Sequence, residues 1–245
     1  MTTDYRRKTD SLPTCMNCSS VLYGAYCSQC GQRETETLTF SRLRASLLRD
    51  WRTLDLAWIR TASALTTDPG RMVRHYLRGR RKPYVPPLSY ALATTTLLAL
   101  AVSLGLDLGK TASDLTPWAS GDSFSAVVSF LAGIYGGLMV ALGVAGIQRM
   151  LHRKAPYGLL ETWVFTLYVF GHLAVHQTIF ALVGAFSSTL GLLALAAMIV
   201  LVLAFALAGF YRLAIWRSMP AALILAVCYV AGVFVVSALA RLALP

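Results

Sequence analysis

Five windows of mostly apolar residues follow Pro83, and they constrain the fold of this chain more than any other feature. A helix needs about 20 such residues to cross the hydrocarbon core of a bilayer. The windows are separated by short polar breaks and cover roughly 88–106, 124–147, 159–185, 190–211 and 221–240. They predict an all-α polytopic membrane protein with about five transmembrane helices, which together form a domain over residues 88–245.

The charged residues predict the orientation of these helices. Only 13% of the 245 residues are charged, and most of the 22 Lys and Arg residues precede Pro83. The breaks at 148–158 and 212–220 are basic, whereas the break at 107–123 is mainly acidic. Because basic loops stay in the cytoplasm, we expect a cytoplasmic N-terminus. Residues 1–10 lack the apolar core of a signal peptide, which agrees with this orientation. The break at 186–189 is uncharged and could instead be a kink, so the side of the C-terminus stays open.

A metal-binding motif lies near the N-terminus. Cys15, Cys18, Cys27 and Cys30 have the spacing C-x2-C-x8-C-x2-C, which is typical of a tetrahedral structural zinc site. Four protein ligands leave no coordination position for catalysis. An iron centre or a redox pair would use the same cysteines and remain alternatives. We expect residues 1–34 to form a zinc ribbon whose metal supplies its folding energy. Tyr23 and Tyr26 are candidates for a small apolar cover.

Residues 35–87 connect this ribbon to the first apolar window. Apolar residues recur every three or four positions between Phe40 and Leu65, and arginines lie largely on the other faces. This pattern predicts an amphipathic helix in the lipid headgroup layer. A helix that packs against the membrane domain is the alternative.

A second, strongly basic helix should follow. Asp68 and Pro69 are typical of a helix start, and Gly79 is suited to end the helix. Six cations lie here, immediately before the first membrane window, and we call them the basic collar: Arg71, Arg74, Arg78, Arg80, Arg81 and Lys82. They could serve only as a topology signal, but they also predict a binding site for phosphate or an anionic lipid headgroup. Nucleic acid is a weaker candidate because the charge lies against a membrane.

Together these segments resemble a known family. The motifs "CMNC", "YCSQCGQ" and "DPGRMVRHYLRGRRKPYVPPLSY" are similar to those of bacterial membrane proteins grouped as domain of unknown function 3667. The resemblance covers about the first 100 residues. It implies a cytoplasmic zinc-binding head on a multi-span domain in the bacterial inner membrane, and it implies no reaction.

The third apolar window contains an unusual polar face. Glu161, Tyr168, His172 and His176 recur at helical spacing, and ionisable residues inside a membrane often have a function. A catalytic metal is improbable, because His172 and His176 lack a third ligand nearby. These side chains could line a path for a small solute or a lipid, or could simply hold helices together by hydrogen bonds.

The sequence therefore favours a non-enzymatic membrane scaffold or adaptor, and it leaves the question of an enzyme open. Its expected partners are anionic lipids and a cytoplasmic protein that contacts the ribbon, and a homo-oligomer is also open. The alternative is a small-solute or lipid transporter that uses the polar face of the third window. Gly133, Gly137, Gly143 and Gly146 could form a helix-packing face, although glycine is common in membrane helices.

Overall fold

The computed structural model describes residues 13–34, 39–40, 56–103, 123–182 and 189–243. In these ranges the chain is helical after a small cysteine-containing head, so the prediction of an all-α fold is confirmed for the described residues. The helices are α1 (Ala57–Thr67), α2 (Pro69–Leu77), α3 (Pro87–Ser103), α4 (Ser123–Leu151), α5 (Leu159–Leu182), α6 (Thr189–Tyr211) and α7 (Ile215–Ala243).

One long helix overlaps each of the five apolar windows, from α3 to α7. By length and composition, two segments in the described ranges could cross a membrane: Thr189–Tyr211, which is α6, and Ile215–Gly232 in α7. Two shorter apolar segments are Pro87–Ala101 in α3 and Gly136–Leu151 in α4. The fourth break is shorter than predicted, because α7 begins at Ile215 and continues through Pro220. Pro220 lies in the second turn of α7, where its missing N–H leaves one backbone hydrogen bond of the helix unmade.

Helix α5 lies at the centre of the bundle. All side chains from 162 to 174 are buried, and α5 packs against α1, α2, α3, α4 and α6. This position explains why its sequence is the most polar of the five windows. A helix surrounded by other helices can bond its polar groups to them.

The first two helices pack against this bundle. α1 contacts α2 and α5, and it buries Thr61 and Leu65. Upstream of it, the ring of Phe40 stacks on Trp163 with 5.6 Å between centroids. The described part of the predicted amphipathic helix therefore has the packed arrangement, with Ile59 exposed on its outer side. Residues 41–55, which carry most of the amphipathic pattern, lie outside the described residues.

Helix α2 begins and ends where the sequence predicts. The Asp68 carboxylate accepts a hydrogen bond from the backbone N–H of Arg71 at 2.9 Å, and Pro69 occupies the first turn. At the other end, Gly79 has a φ of +99°. Its N–H donates to the Tyr76 carbonyl, and the Arg80 N–H donates to the His75 carbonyl. These two bonds form a Schellman motif, which ends a helix by satisfying its last carbonyl groups.

Close helix packing depends on glycines other than Gly137, Gly143 and Gly146; the surroundings of the fourth predicted glycine, Gly133, lie outside what the structure describes. A Cβ atom on Gly137, Gly143 or Gly146 would meet nothing within 4 Å, so the packing-face prediction is wrong for these positions within the chain. Instead, a Cβ on Gly70 would lie 2.2 Å from backbone atoms of α6, and one on Gly171 would lie 2.9 Å from the Ala91 Cα in α3. Gly70 joins α2 to α6, and Gly171 joins α3 to α5.

Candidate metal centre and basic collar

The four predicted cysteine ligands converge on one point. Their Sγ atoms all lie within 4.8 Å of one another, with 3.6 Å between Cys15 and Cys30 and 3.5 Å between Cys18 and Cys27. A tetrahedral ion with metal–sulfur bonds of about 2.3 Å separates its sulfurs by about 3.8 Å. The cysteines therefore fit a metal ion of this kind. Cys228, the fifth cysteine, lies in α7, far along the chain from this cluster.

Two matching backbone turns position the cysteines. In the first, the Ser19 N–H donates to the Cys15 carbonyl; in the second, the Gly31 N–H donates to the Cys27 carbonyl. Ser19 has a φ of 62° and Gly31 a φ of 68°, so the residue after each C-x-x-C pair is left-handed. Glycine adopts this conformation at low cost, whereas serine is strained there. The sequence thus supplies a glycine at the second turn and a serine at the first.

Hydrogen bonds prepare part of the cluster to bind a cation. The Ser20 hydroxyl lies 2.9 Å from the Cys18 sulfur and 3.0 Å from the Cys27 sulfur. Hydrogen bonding from Ser20 lowers the pKa of Cys18, and it is the largest cause that lowers the pKa of Cys27 to about 6. Burial raises the pKa of Cys15 to about 11. A metal ion must displace the proton from this buried thiol, because cysteine binds metals as thiolate.

Leu22 covers the cluster from inside, and the two tyrosines do not. Leu22 is buried with Cys15 and Cys27. Tyr23 is 83% exposed and Tyr26 61% exposed, so the prediction that they form an apolar cover is wrong. A core of one leucine and the cysteines is too small to fold without a bound metal or a covalent cross-link. If a metal binds, it supplies the missing stability and orders the loops.

The cysteine head is joined directly to the basic collar by Gln32. Its Nε2 donates to the Gly79 carbonyl at 2.8 Å. Its Oε1 accepts from the backbone N–H groups of Arg81, at 3.2 Å, and Lys82, at 3.0 Å. The Gln32 side chain is buried in this contact. Sequence reasoning missed Gln32, because nothing near it in the chain distinguishes it from an exposed glutamine.

Within the collar, four cations are exposed and two are partly buried. The exposed residues are Arg71, Arg78, Arg80 and Lys82, and the partly buried residues are Arg74 and Arg81. Arg81 lies over the ring of Tyr76, 5.6 Å from its centroid. Among the described residues, Arg74 Nη1 and Arg81 Nε are buried without a hydrogen-bond partner. A buried donor without an acceptor is costly, so these two groups favour an anion nearby.

The collar also affects its own histidine. Burial lowers the pKa of His75, and the positive charges of Arg71, Arg80, Arg78 and Arg74 lower it further. His75 therefore stays uncharged at neutral pH, and the charge of the collar comes from arginine and lysine alone.

The predicted polar face of α5 is only partly assembled. Tyr168 donates to the Val85 carbonyl at 2.6 Å, immediately before α3. His176 Nδ1 lies 2.9 Å from the His172 carbonyl in the same helix. Glu161 instead accepts from the Gly158 N–H, where it caps the start of α5. The structure therefore groups the tyrosine and the two histidines and leaves the glutamate out.

His172 has a partner for each ring nitrogen. Nδ1 lies 3.0 Å from the Tyr90 hydroxyl in α3, and Nε2 lies 3.1 Å from the Thr66 hydroxyl in α1. The Thr66 hydroxyl also donates to the Ala62 carbonyl, so its oxygen is left to accept from Nε2–H. Tyr90 and Thr66 therefore each hold one ring nitrogen of His172. His172 thus ties α1, α3 and α5 together.

A second polar cluster, which the sequence did not indicate, lies where α4, α5 and α6 meet. The buried Gln148 donates to the Tyr211 hydroxyl and accepts from Thr166, at 3.2 Å in each case. The His152 ring stacks on Tyr211 with 4.0 Å between centroids. Burial lowers the pKa of His152. These contacts satisfy polar groups between helices.

These features define a class of protein: a helical bundle containing helices of membrane-spanning length, with a tetracysteine head suited to a metal. Residues 58–99 match the model of a family described as Protein of unknown function (DUF3667), and the resemblance predicted from the sequence is confirmed over this segment. The matched segment contains nearly all of α1, the collar and most of α3, and the cysteine head precedes it. No curated protein and no solved structure matches the chain.

Proposed function

We propose that this chain is a bacterial inner-membrane scaffold or adaptor whose basic collar binds anionic lipid and whose cytoplasmic head holds a structural zinc ion. In this proposal α3 to α7 all cross the membrane and the N-terminus is cytoplasmic. The lengths of these helices, from 17 residues in α3 to 29 in α4 and α7, support the arrangement. So does the central α5, whose Tyr168 and His172 bond to groups outside the helix.

The lipid-binding proposal rests on the exposed and unpaired cations of the collar. Four of its cations are exposed, and in the described part of the chain none of the six pairs with an acid. The nearest acid in sequence, Asp68, is already used to cap α2. Unpaired cations close to the start of a membrane helix attract anionic headgroups by about 1 kcal/mol each. The two unpartnered guanidinium nitrogens of Arg74 and Arg81 add hydrogen-bond donors for a phosphate.

The interior of the bundle favours a scaffold over a transporter. Tyr168 and His172 are buried, and His172 uses both ring nitrogens in bonds to other helices. A transport path needs polar groups that can exchange partners with a solute, whereas these groups act as helix-to-helix bonds. On the head, the exposed Met16, Tyr23 and Tyr26 offer a contact surface to a cytoplasmic protein.

A lipid titration with two matched double variants tests the proposal. Arg71→Gln with Arg78→Gln removes two exposed collar charges, and Arg153→Gln with Lys154→Gln removes two exposed charges from the α4–α5 loop. The purified protein is titrated with short-chain phosphatidylglycerol and with phosphatidylcholine. We expect the collar variant to lose about 2 kcal/mol of phosphatidylglycerol binding, or about thirtyfold in Kd. Equal losses in both double variants would show a general charge effect and no collar site.

A further inference from the structure

The contact between the head and the collar links the metal site to the proposed lipid site. Gln32 follows the last cysteine, Cys30, by two positions, and its own carbonyl accepts from the N–H of Cys27. The left-handed Gly31 turns the chain between them. The backbone of Gln32 is therefore part of the second cysteine turn, while its side chain binds the collar.

The side chain of Gln32 bonds only to backbone groups of the collar. It contacts the carbonyl of Gly79 and the N–H groups of Arg81 and Lys82, and these three contacts define residues 79–82 as the collar loop. The side chains of Arg80 and Lys82 stay exposed beside this contact. Gln32 thus fixes the path of the loop and leaves its exposed cations free to meet a ligand.

Apart from Gln32, the described residues give the collar loop a few contacts with α2 and Tyr84, including the Arg81 side chain over the Tyr76 ring. The Arg80 N–H is bonded within the α2 Schellman motif, and the Arg81 carbonyl accepts from the Tyr84 N–H. The N–H groups of Arg81 and Lys82 are bonded to Gln32. If the cysteine turn loosened, these groups would lose their acceptor and the loop would be free to change its path.

We infer that the metal-loaded head acts as a clamp on the collar loop, so that metal occupancy regulates anionic-lipid binding by the collar. The lipid part of this inference rests on the proposed function, and the clamp itself does not. The ion fixes the cysteine turns, the second turn fixes Gln32, and Gln32 holds the collar loop. The head's own core is too small to keep Gln32 in place once the ion is removed.

Limited proteolysis of the full chain in phosphatidylcholine nanodiscs tests the clamp. Trypsin cuts after exposed arginines whose backbone can open, so cleavage after Arg80 and Arg81 reports the freedom of the collar loop. The zinc-loaded wild type is compared with the same protein after treatment with a zinc chelator. Two zinc-loaded variants complete the set: Gln32→Ala, which removes the clamp, and Gln29→Ala, which removes an exposed glutamine from the same turn.

We expect chelation to raise the cleavage rate of the collar loop by about tenfold or more, as the loss of three hydrogen bonds implies. Gln32→Ala should reach a similar rate with zinc still bound, and Gln29→Ala should match the wild type. An unchanged rate after chelation overturns the clamp, and so does a Gln32→Ala rate equal to that of Gln29→Ala. Zinc content, measured on each sample, shows whether each variant has kept its folded head.

The same samples separate the clamp from the lipid function. Phosphatidylglycerol binding should weaken whenever the collar loop opens, by about fivefold or more if the path of the loop sets the headgroup contacts. A loop that opens on chelation while phosphatidylglycerol binding stays unchanged overturns metal regulation of lipid binding. If neither zinc state of the wild type prefers phosphatidylglycerol to phosphatidylcholine, the proposed lipid function fails, and the proteolysis result still decides the clamp.

Discussion

Gly70→Ala should disrupt the contact that holds the collar helix α2 on the bundle. A Cβ at this position would lie 2.2 Å from the Gly209 carbonyl carbon and from the Phe210 nitrogen. Ordinary contact for a Cβ begins at 3.4 Å, so α2 and α6 must separate by 3.4 − 2.2 = 1.2 Å. Because the obstacle is helix backbone, no side-chain rotation can relieve the clash.

The separation should cost about 3 kcal/mol, the upper end of the range for overpacked sites. Alanine's higher helix propensity would offset less than about 1 kcal/mol of this cost. For a chain of this length, about 3 kcal/mol corresponds to a fall in Tm of about 6 to 12 °C. Thermal unfolding in nanodiscs, followed by tryptophan fluorescence, measures this change.

Gly146→Ala is the matched control, since a Cβ there would meet nothing within 4 Å. We expect its Tm to equal or slightly exceed that of the wild type. Gly209→Ala should be intermediate, because its nearest neighbour would be the Gly70 Cα at 3.3 Å. A Tm for Gly70→Ala within about 1 °C of the wild type would refute the predicted clash, because even 1 kcal/mol of destabilisation should lower the Tm by about 2 to 4 °C.

Two further predictions concern single hydroxyl groups. Ser20→Ala should weaken zinc binding by about tenfold, because the sulfurs of Cys18 and Cys27 lose their shared hydrogen-bond partner. Competition with a chromogenic chelator measures the zinc affinity, and an unchanged affinity would contradict the prediction. Tyr90→Phe should destabilise the bundle by about 1 kcal/mol, because Nδ1 of His172 loses its hydrogen-bond partner in a buried site. Thermal unfolding measures the second effect, and a Tm equal to that of the wild type would show that this bond contributes nothing.

Features encoded within a few residues could be predicted from the sequence. The ends of α2 follow from Asp68, Pro69 and Gly79, because a cap and a left-handed turn are set by local backbone chemistry. The cysteine cluster follows from its spacing for the same reason. The apolar windows predicted where the five long helices lie, since each must bury or shield its own backbone polar groups.

Features that depend on distant contacts could not be predicted. Gly70 and Gly209 are 139 positions apart, and neither belongs to a recognisable small-residue motif. Gln32 binds a loop 47 to 50 positions away, and no periodicity marks a residue that recognises backbone groups. The helical spacing places His172 on a polar face, but its partners Thr66 and Tyr90 come from two other helices. A single sequence shows that such residues are polar, but it does not show which residues they bond to.

The most direct test of the account is an experimental structure of the zinc-loaded chain in nanodiscs that contain phosphatidylglycerol. We predict a lipid phosphate within hydrogen-bond distance of the collar, contacting Arg74, Arg78 or Arg81. Gln32 should be bound to the collar loop, and an ion should lie among the four cysteines. A collar that faces solvent without lipid, while phosphatidylglycerol is ordered elsewhere on the bundle, would contradict the central claim.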